Sequence, residues 1–216
     1  MLAVASLLPA RGGGKLAQGR AAYLRHLGIQ AESLEGGFEA WRDAGGPLVP
    51  LGVIPATHGQ EGSRWVTRSR PNVDRTACPW LIRRFVDPDA VFLFVSAQEV
   101  GGVAERFAAT PFDVEGVEWS HWGELCTFDV MVERFGLTTP ALSRLAAIIR
   151  GADTARLDIA PQAAGFLAVA LGLSHMYRDD IAQVEAAMLV YDALYRWCRD
   201  AGDETHNWPG PGQRGA

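Results

Sequence analysis

Three side chains of the kinds that bind transition metals, His121, Glu124 and Cys126, lie within one short segment of the chain. Imidazole, carboxylate and thiolate groups are all ligands of zinc and iron in proteins. Glu124 follows His121 by three residues, so a single turn of chain can bring both side chains to one ion. Two interpretations remain open: a metal site that includes His121, or a turn capped by His121 with Cys126 in the core.

A second unusual histidine, His206, lies in the polar segment ETHNW near the end of the chain. Trp208 supplies an apolar anchor, with which this segment can fold back over the loop that carries His121. We therefore predict a mononuclear metal site formed by His121, Glu124 and His206. Two imidazoles and one carboxylate suit iron, manganese or zinc and leave positions open for a substrate. The alternative is an exposed tail.

Three arginines, Arg68, Arg70 and Arg75, surround a predicted break between a strand and a helix. Guanidinium groups that converge on the free amides of a helix N-terminus form an oxyanion site. Without an anion, the same cations would form a salt-bridged surface. We predict a small oxyanion, or another small molecule, as the ligand of this loop. This site competes with the metal site as the functional one.

Three further residues are candidate contributors to these sites: Cys78, Cys126 and Asp153. Cys78 lies one helical turn after Asp74 and close to Arg75, and such a setting lowers the pKa of a thiol. The alternative for Cys78 is burial beneath the following strand. Asp153 ends an apolar segment, and its carboxylate is either a metal ligand or a cap. No residue is assigned a catalytic role by these patterns.

The arginine loop belongs to a predicted strand–loop–helix–strand unit. Residues 65–67 are β-forming, Asp74 is a candidate helix N-cap, and residues 90–95 form a short apolar run typical of a buried strand. Periodic apolar patterns predict later helices at 98–107, 128–135, 140–150 and 161–173 and a long helix after Asp179, with the helix at 161–173 central. The predicted fold class is α+β or α/β, a small sheet followed by a mostly helical C-terminal half.

Composition limits the classes of function. The chain has 216 residues, 48% of them hydrophobic, which is enough for one core and a small appendage. A net charge of -5 argues against a nucleic-acid partner. The three cysteines have no paired spacing and no apolar run is long enough to span a membrane, so we expect a cytoplasmic protein without a membrane partner. The sequence leaves the oligomeric state open.

The first 50 residues contain the motifs GRAAYL, LEGGFEAW and GGP, and they predict helices at 18–27 and 38–44 and a short strand at 31–34. Through them, residues 1–50 resemble the C-terminal half of a rhodanese domain. Rhodanese-like domains transfer sulfane sulfur through a cysteine in a loop before the first helix of this half, and the corresponding residues 9–18 contain no cysteine. The resemblance implies a truncated α/β fragment that is inert in sulfur transfer. Residues 51–63, rich in glycine, are predicted to be a linker.

Several blocks after the linker resemble the C-terminal domain of the ChrB-type chromate-resistance family. They are RWVTRSRPNVDRTACPWLIRRFVDPDAVFLFV, TPFDVEGVEWSHWGELCTFD, IIRGADTARLD, PQAAGFLAVALGLS, RDD, VYDALYRWC and ETHNW. The resemblance covers residues 64–208 and leaves residues 209–216 as a predicted disordered tail. It implies a role in chromate resistance or the response to chromate stress, for which three hypotheses follow: a domain that binds a metal ion or oxyanion, a mononuclear metal-dependent oxidoreductase, or a non-catalytic sensor or regulatory module.

Overall fold

The computed structural model describes residues 15–55, 57–58, 61–202 and 204. Its helices are, in chain order, α1 (Lys15–His26), α2 (Gly37–Asp43), α3 (Val73–Leu81), α4 (Val100–Phe107), α5 (Thr127–Arg134), α6 (Pro140–Asp153), α7 (Ala163–Met176) and α8 (Asp180–Asp200). Its strands are β1 (Thr57–His58), β2 (Glu61–Arg68), β3 (Val91–Val95) and β4 (Thr110–Pro111). A 3-10 turn covers Leu51–Val53, and a π-helical turn, Ile82–Val86, extends α3. The fold is α+β, as predicted.

β2 is the strand on which the sheet is built. It pairs in parallel with β3 and with β4, and its first residues pair antiparallel with β1. Successive residues of a strand point to opposite faces, so Trp65 enters the main core while Val66 packs with Val100 of α4. Parallel pairing of β2 with β3 requires a crossover, which α3 supplies. The predicted strand–loop–helix–strand unit is therefore confirmed.

α3 is the central helix of the fold. All of its residues except Arg75 are buried, because α5, α6 and α8 pack against it and its apolar side chains share the main core with Trp65 and Phe92 of the sheet. The Trp80 indole packs 6.3 Å from the ring of Phe128 in α5 and 5.9 Å from that of Tyr191 in α8. Its Nε1 donates a hydrogen bond of 2.8 Å to Asp192. One side chain thus connects three helices and anchors the last turn of α3.

The prediction of a central helix at 161–173 is wrong. α7 forms there, but only Ala163, Phe166 and Ala170 are buried, and Met176 is 72% exposed. A helix that is apolar on all sides carries no periodic signal that says which face is buried, so uniform hydrophobicity alone does not indicate a central position. Packing places α7 at the edge of the helical layer.

The N-terminal part of the described chain agrees with the sequence in its helices but not in its strand. α1 and α2 lie where helices are predicted, whereas residues 31–34 form no strand. β1 and the start of β2 lie inside the predicted linker, and Val49 and Val53 pack against the main core. The predicted tail at 209–216 is outside the described residues. In the described chain, no helix combines the length and apolarity that crossing a membrane requires.

Candidate metal centre

The His121 imidazole points into a group of three carboxylates. Its Nε2 lies 3.3 Å from Asp153 Oδ2, 3.4 Å from Asp74 Oδ2 and 3.5 Å from Asp113 Oδ1. Asp74, His121 and Asp153 each offer a ligand atom within 4.8 Å of the others. Among the described residues, these three side chains form the arrangement that fits one metal ion, and the tertiary fold assembles it from three separate parts of the chain.

Asp74 connects two helices. It is the second residue of α3 and not its N-cap, which is Asn72, so the predicted capping role in α3 is wrong. Instead, Asp74 Oδ2 accepts a hydrogen bond of 2.5 Å from the backbone N–H of Thr127 at the start of α5. The Asp74 backbone N–H in turn donates to Asp153 Oδ1 at the end of α6, at 3.3 Å. The first turns of α3 and α5 and the last turn of α6 therefore meet at this carboxylate.

The second oxygen of Asp74 has no hydrogen-bond partner. Asp74 is 1% exposed, and its Oδ1 is buried without a donor among the described residues. Burying a carboxylate oxygen without compensation costs several kcal/mol, roughly. An unsatisfied oxygen on a carboxylate that also offers a ligand atom to His121 and Asp153 is consistent with a site for a cation.

The ionisation of this group is strongly perturbed. The hydrogen bond to Asp74 raises the pKa of His121 to about 9, with further contributions from the charges of Asp153 and Asp113. Burial raises the pKa of Asp153 to about 7, and the negative charges of Asp74 and Asp113 add to this effect. Burial likewise raises the pKa of Asp113. The site therefore retains protons that solvent-exposed groups of the same types would lose, because its carboxylates repel one another at low dielectric.

Two of the three predicted oxyanion-binding arginines border the carboxylates. Asp113 Oδ2 lies 3.2 Å from Arg75 Nε and 3.4 Å from Arg68 Nη2. Arg75 also donates to the carbonyl oxygens of Arg68 and Ser69. Burial lowers the pKa of Arg75. Arg68 and Arg75 thus both lie beside Asp113, which opposes their charge, and their role in oxyanion binding stays a prediction.

Arg70 lies elsewhere and has a structural role. Its φ of 57° turns the chain after β2, and its N–H donates to Asp180 at 3.1 Å. Its guanidinium donates to the carbonyl oxygens of Ser174 and Tyr177 at the C-terminal end of α7. These carbonyls have no intrahelical partner, so Arg70 caps α7.

The predicted ligand Glu124 points away from His121. Its side chain is 84% exposed and lies 3.2 Å from Arg156. The chain reverses at Gly123, where φ is 61°, and Trp122 pairs with Leu125 across the turn. This tight turn replaces the single helical turn assumed from the spacing. The third predicted ligand, His206, lies outside the described residues, so its role stays a prediction.

Asp153 is brought to the site, whereas both cysteines are buried in the core. Cys78 and Cys126 are each 0% exposed, and burial is the main cause that raises the pKa of both thiols. Cys126 occupies the N-cap position of α5, where its backbone N–H donates to Asp129 at 3.1 Å. A reactive thiolate beside Arg75, one interpretation of the sequence, conflicts with the pKa shift of Cys78.

Sequence reasoning missed Asp113 altogether and assigned Asp74 only to capping. The one signal for Asp74 was an acidic residue in the first turn of a helix otherwise built of buried residues. Asp113 lies two residues after the end of β4, in a turn where its φ is 50°. An aspartate is favoured in such turns for local reasons, which hides any further role.

Comparison with known proteins agrees with the family resemblance. Residues 65–198 match the family model described as the C-terminal domain of ChrB. The chain is 37% identical over 136 residues to protein ChrB of Cupriavidus metallidurans, a match that covers 62% of this chain and 40% of that relative. The chain therefore spans less than half the length of that relative. No solved structure matches it significantly. The chain belongs to the family defined by the ChrB C-terminal domain.

Proposed function

We propose that this chain acts in chromate resistance through a C-terminal domain that binds a single divalent metal ion at Asp74, His121 and Asp153. One observation carries the proposal: Asp74, His121 and Asp153 each offer a ligand atom within 4.8 Å of the others, and the buried Asp74 has a second oxygen, Oδ1, with no hydrogen-bond partner among the described residues. A cation at that point would compensate the negative charge of the carboxylates, which now depends on retained protons.

The donor set limits the choice of metal. Carboxylate oxygens suit manganese and magnesium, and an imidazole nitrogen adds affinity for zinc and iron. Iron, manganese and zinc are therefore the favoured ions, as the sequence predicts. Three protein ligands leave coordination positions open for water or a small molecule. The His121 side chain is 42% exposed, so these positions would face solvent.

A second candidate is an oxyanion site at Arg68 and Arg75. The observation that favours it is the position of both guanidinium groups beside Asp113, at the border of the metal group. The Arg68 side chain is 44% exposed, so an anion can reach it from solvent. An anion bound without a metal must compete with the carboxylate of Asp113 for both arginines. An anion that binds a resident metal ion need not displace that carboxylate.

The deciding experiment measures metal content and affinity in the purified full-length chain. Elemental analysis after expression in medium containing iron, manganese and zinc gives the stoichiometry, and calorimetric titration of the metal-free chain gives the affinity for each ion. The variants are His121→Gln, Asp153→Asn and Glu124→Gln. Glu124→Gln is the matched control, because the residue lies near His121 in sequence but faces solvent.

We expect about one ion per chain in the original protein and in Glu124→Gln. His121→Gln and Asp153→Asn should lose at least about tenfold in affinity, since each removes one of three ligands. Full metal content in both of these variants would refute the site. A loss in Glu124→Gln and in His206→Ala instead would favour the ligand set predicted from the sequence. Chromate binding that persists in metal-free protein and disappears in Arg68→Ala would favour the metal-independent oxyanion site.

A further inference from the structure

β3 has one paired edge and one open edge. It pairs with β2 through the register Arg64↔Val91 to Arg68↔Val95, and no other described strand pairs with it. The carbonyl oxygen of Val95 accepts from the N–H of Ser69, so Val95, and by alternation Leu93 and Val91, direct their backbone groups towards β2. The backbone N–H and C=O groups of Phe92 and Phe94 therefore point to the open edge.

The sequence of this strand is a palindrome, VFLFV. If a second copy of β3 is added antiparallel about a two-fold axis at Leu93, each Phe92 faces the Phe94 of the other copy. Outward-directed residues that face each other in an antiparallel pair exchange two hydrogen bonds. The two Phe92–Phe94 pairs would thus use every outward backbone group of both strands. Leu93 would face its own copy as a non-hydrogen-bonded pair.

The residues that flank the open edge of β3 are complementary in charge to those of a second copy related by this two-fold axis. A groove of about 670 Å³ flanks the Val91 end and includes Asp89. A groove of about 550 Å³ flanks the Val95 end and includes Arg178. Antiparallel pairing brings the two ends together, which sets the groove with Asp89 in one copy against the groove with Arg178 in the other. Both residues are exposed, and neither has an ion-pair partner in the described part of the chain.

We propose that β3 is the interface of a homodimer in which two sheets join through antiparallel pairing of β3 about Leu93. Exposed apolar side chains on the rims of the grooves, Val91 at 42%, Phe107 at 44% and Ile181 at 40%, are buried in this dimer. An edge strand of five apolar residues without protecting charges pairs readily with another strand. The palindrome and the charge pair select a second copy of this chain as that partner.

Site-directed cross-linking in the full-length chain tests the axis. In Leu93→Cys, the two introduced thiols face each other at about 5 Å between Cβ atoms, and mild oxidation gives a covalent dimer. In Val95→Cys, each thiol faces Val91 and lies about 13 Å along the strand from its own copy, so no such dimer forms. The three native cysteines are buried and do not compete. Equal cross-linking of both variants, or of neither, overturns the proposed pairing.

Sedimentation velocity gives the independent test. We expect a dimer in the original chain, a monomer in Leu93→Lys, and a dimer in Leu189→Lys, a control at a 75% exposed position of α8. Leu93 also packs beside Val66, so its replacement can disturb the fold as well as the dimer. The second set of variants therefore changes exposed charges outside the core. Asp89→Arg and Arg178→Asp should each weaken dimerisation at least about tenfold, and the double variant should restore it. The proposal is refuted if the unsubstituted chain is a monomer, including one that pairs only with another protein. It is also refuted if the chain is a dimer that none of these substitutions weakens.

Discussion

Metal affinity should rise steeply with pH, because the ion competes with protons held by the site. His121 must lose its proton to act as a ligand, and its pKa is about 9. Below pH 9, each decrease of one pH unit weakens the apparent metal affinity about tenfold, so Kd should be about tenfold lower at pH 8 than at pH 7. Asp153, with a pKa of about 7, adds a second competing proton at lower pH. Between pH 6 and pH 7, Kd should therefore fall by between about tenfold and about a hundredfold.

Calorimetry of the metal-free chain in buffers with different ionisation enthalpies measures both the affinity and the number of protons released. We expect about one proton at pH 8 and between one and two, roughly, at pH 6. His121→Gln is the matched variant, since it removes the titrating imidazole and should flatten the dependence above pH 7. An affinity that does not change between pH 7 and pH 8, or a slope that survives in His121→Gln, would refute the assignment of His121 as a ligand.

Three further predictions concern stability without metal. Asp74→Ala removes a carboxylate that caps α5 and balances His121, so urea unfolding at pH 7 should show a loss of about 2–3 kcal/mol, against less than about 0.5 kcal/mol for the exposed Glu124→Ala. The pKa of His121 is higher in the folded chain than in the unfolded chain, so protonated His121 stabilises the fold fully below about pH 6.5, and this stabilisation is lost as the pH rises through 9. Because the side chain is 42% exposed, we expect the free energy of unfolding in urea to be about 1 kcal/mol lower at pH 9.5 than at pH 7 from this cause. His121→Gln should remove that difference. A fragment of residues 47–208 should unfold at higher urea than one of residues 64–208, because the shorter fragment lacks a segment that packs on the core and the first residues of β2; equal midpoints would support the predicted boundary at residue 64.

The elements of this fold were predictable where local chemistry decides them. Pro140 at the first position of α6, with Thr139 accepting from the Leu142 N–H, marks a helix start in the sequence as clearly as in the structure. Asp179 caps α8 in the same way. The apolar run of β3 forms a strand, as its length and composition predict, but the prediction of a buried strand is wrong, because β3 is an edge strand in which only Phe92 is buried. For the two helices, the residues that form the signal also supply the hydrogen bonds that stabilise the element.

The candidate site was only partly predictable, because its members are distant in sequence. His121 and Asp153 attracted attention by residue type, but nothing local says that the first turn of α3 lies between them. That position follows from the crossover between β2 and β3 and from the packing of α3 against α5, α6 and α8. Glu124 illustrates the opposite failure: its spacing from His121 fits a shared ion only in a helical turn, and Gly123 forms a tight turn instead.

The charges around His121 explain how a cluster of carboxylates can exist in a folded chain with or without an ion. Asp74, Asp113 and Asp153 face two arginines and a protonated histidine, so the group is close to neutral when His121 holds its proton. A divalent ion that displaces the His121 proton adds one net charge, and if the Asp153 proton also leaves, the net charge does not change. In the proposed site, protons and a metal ion would thus be nearly interchangeable. We therefore expect the domain to fold before it binds metal, and we expect pH and ion concentration, instead of folding, to govern metal binding.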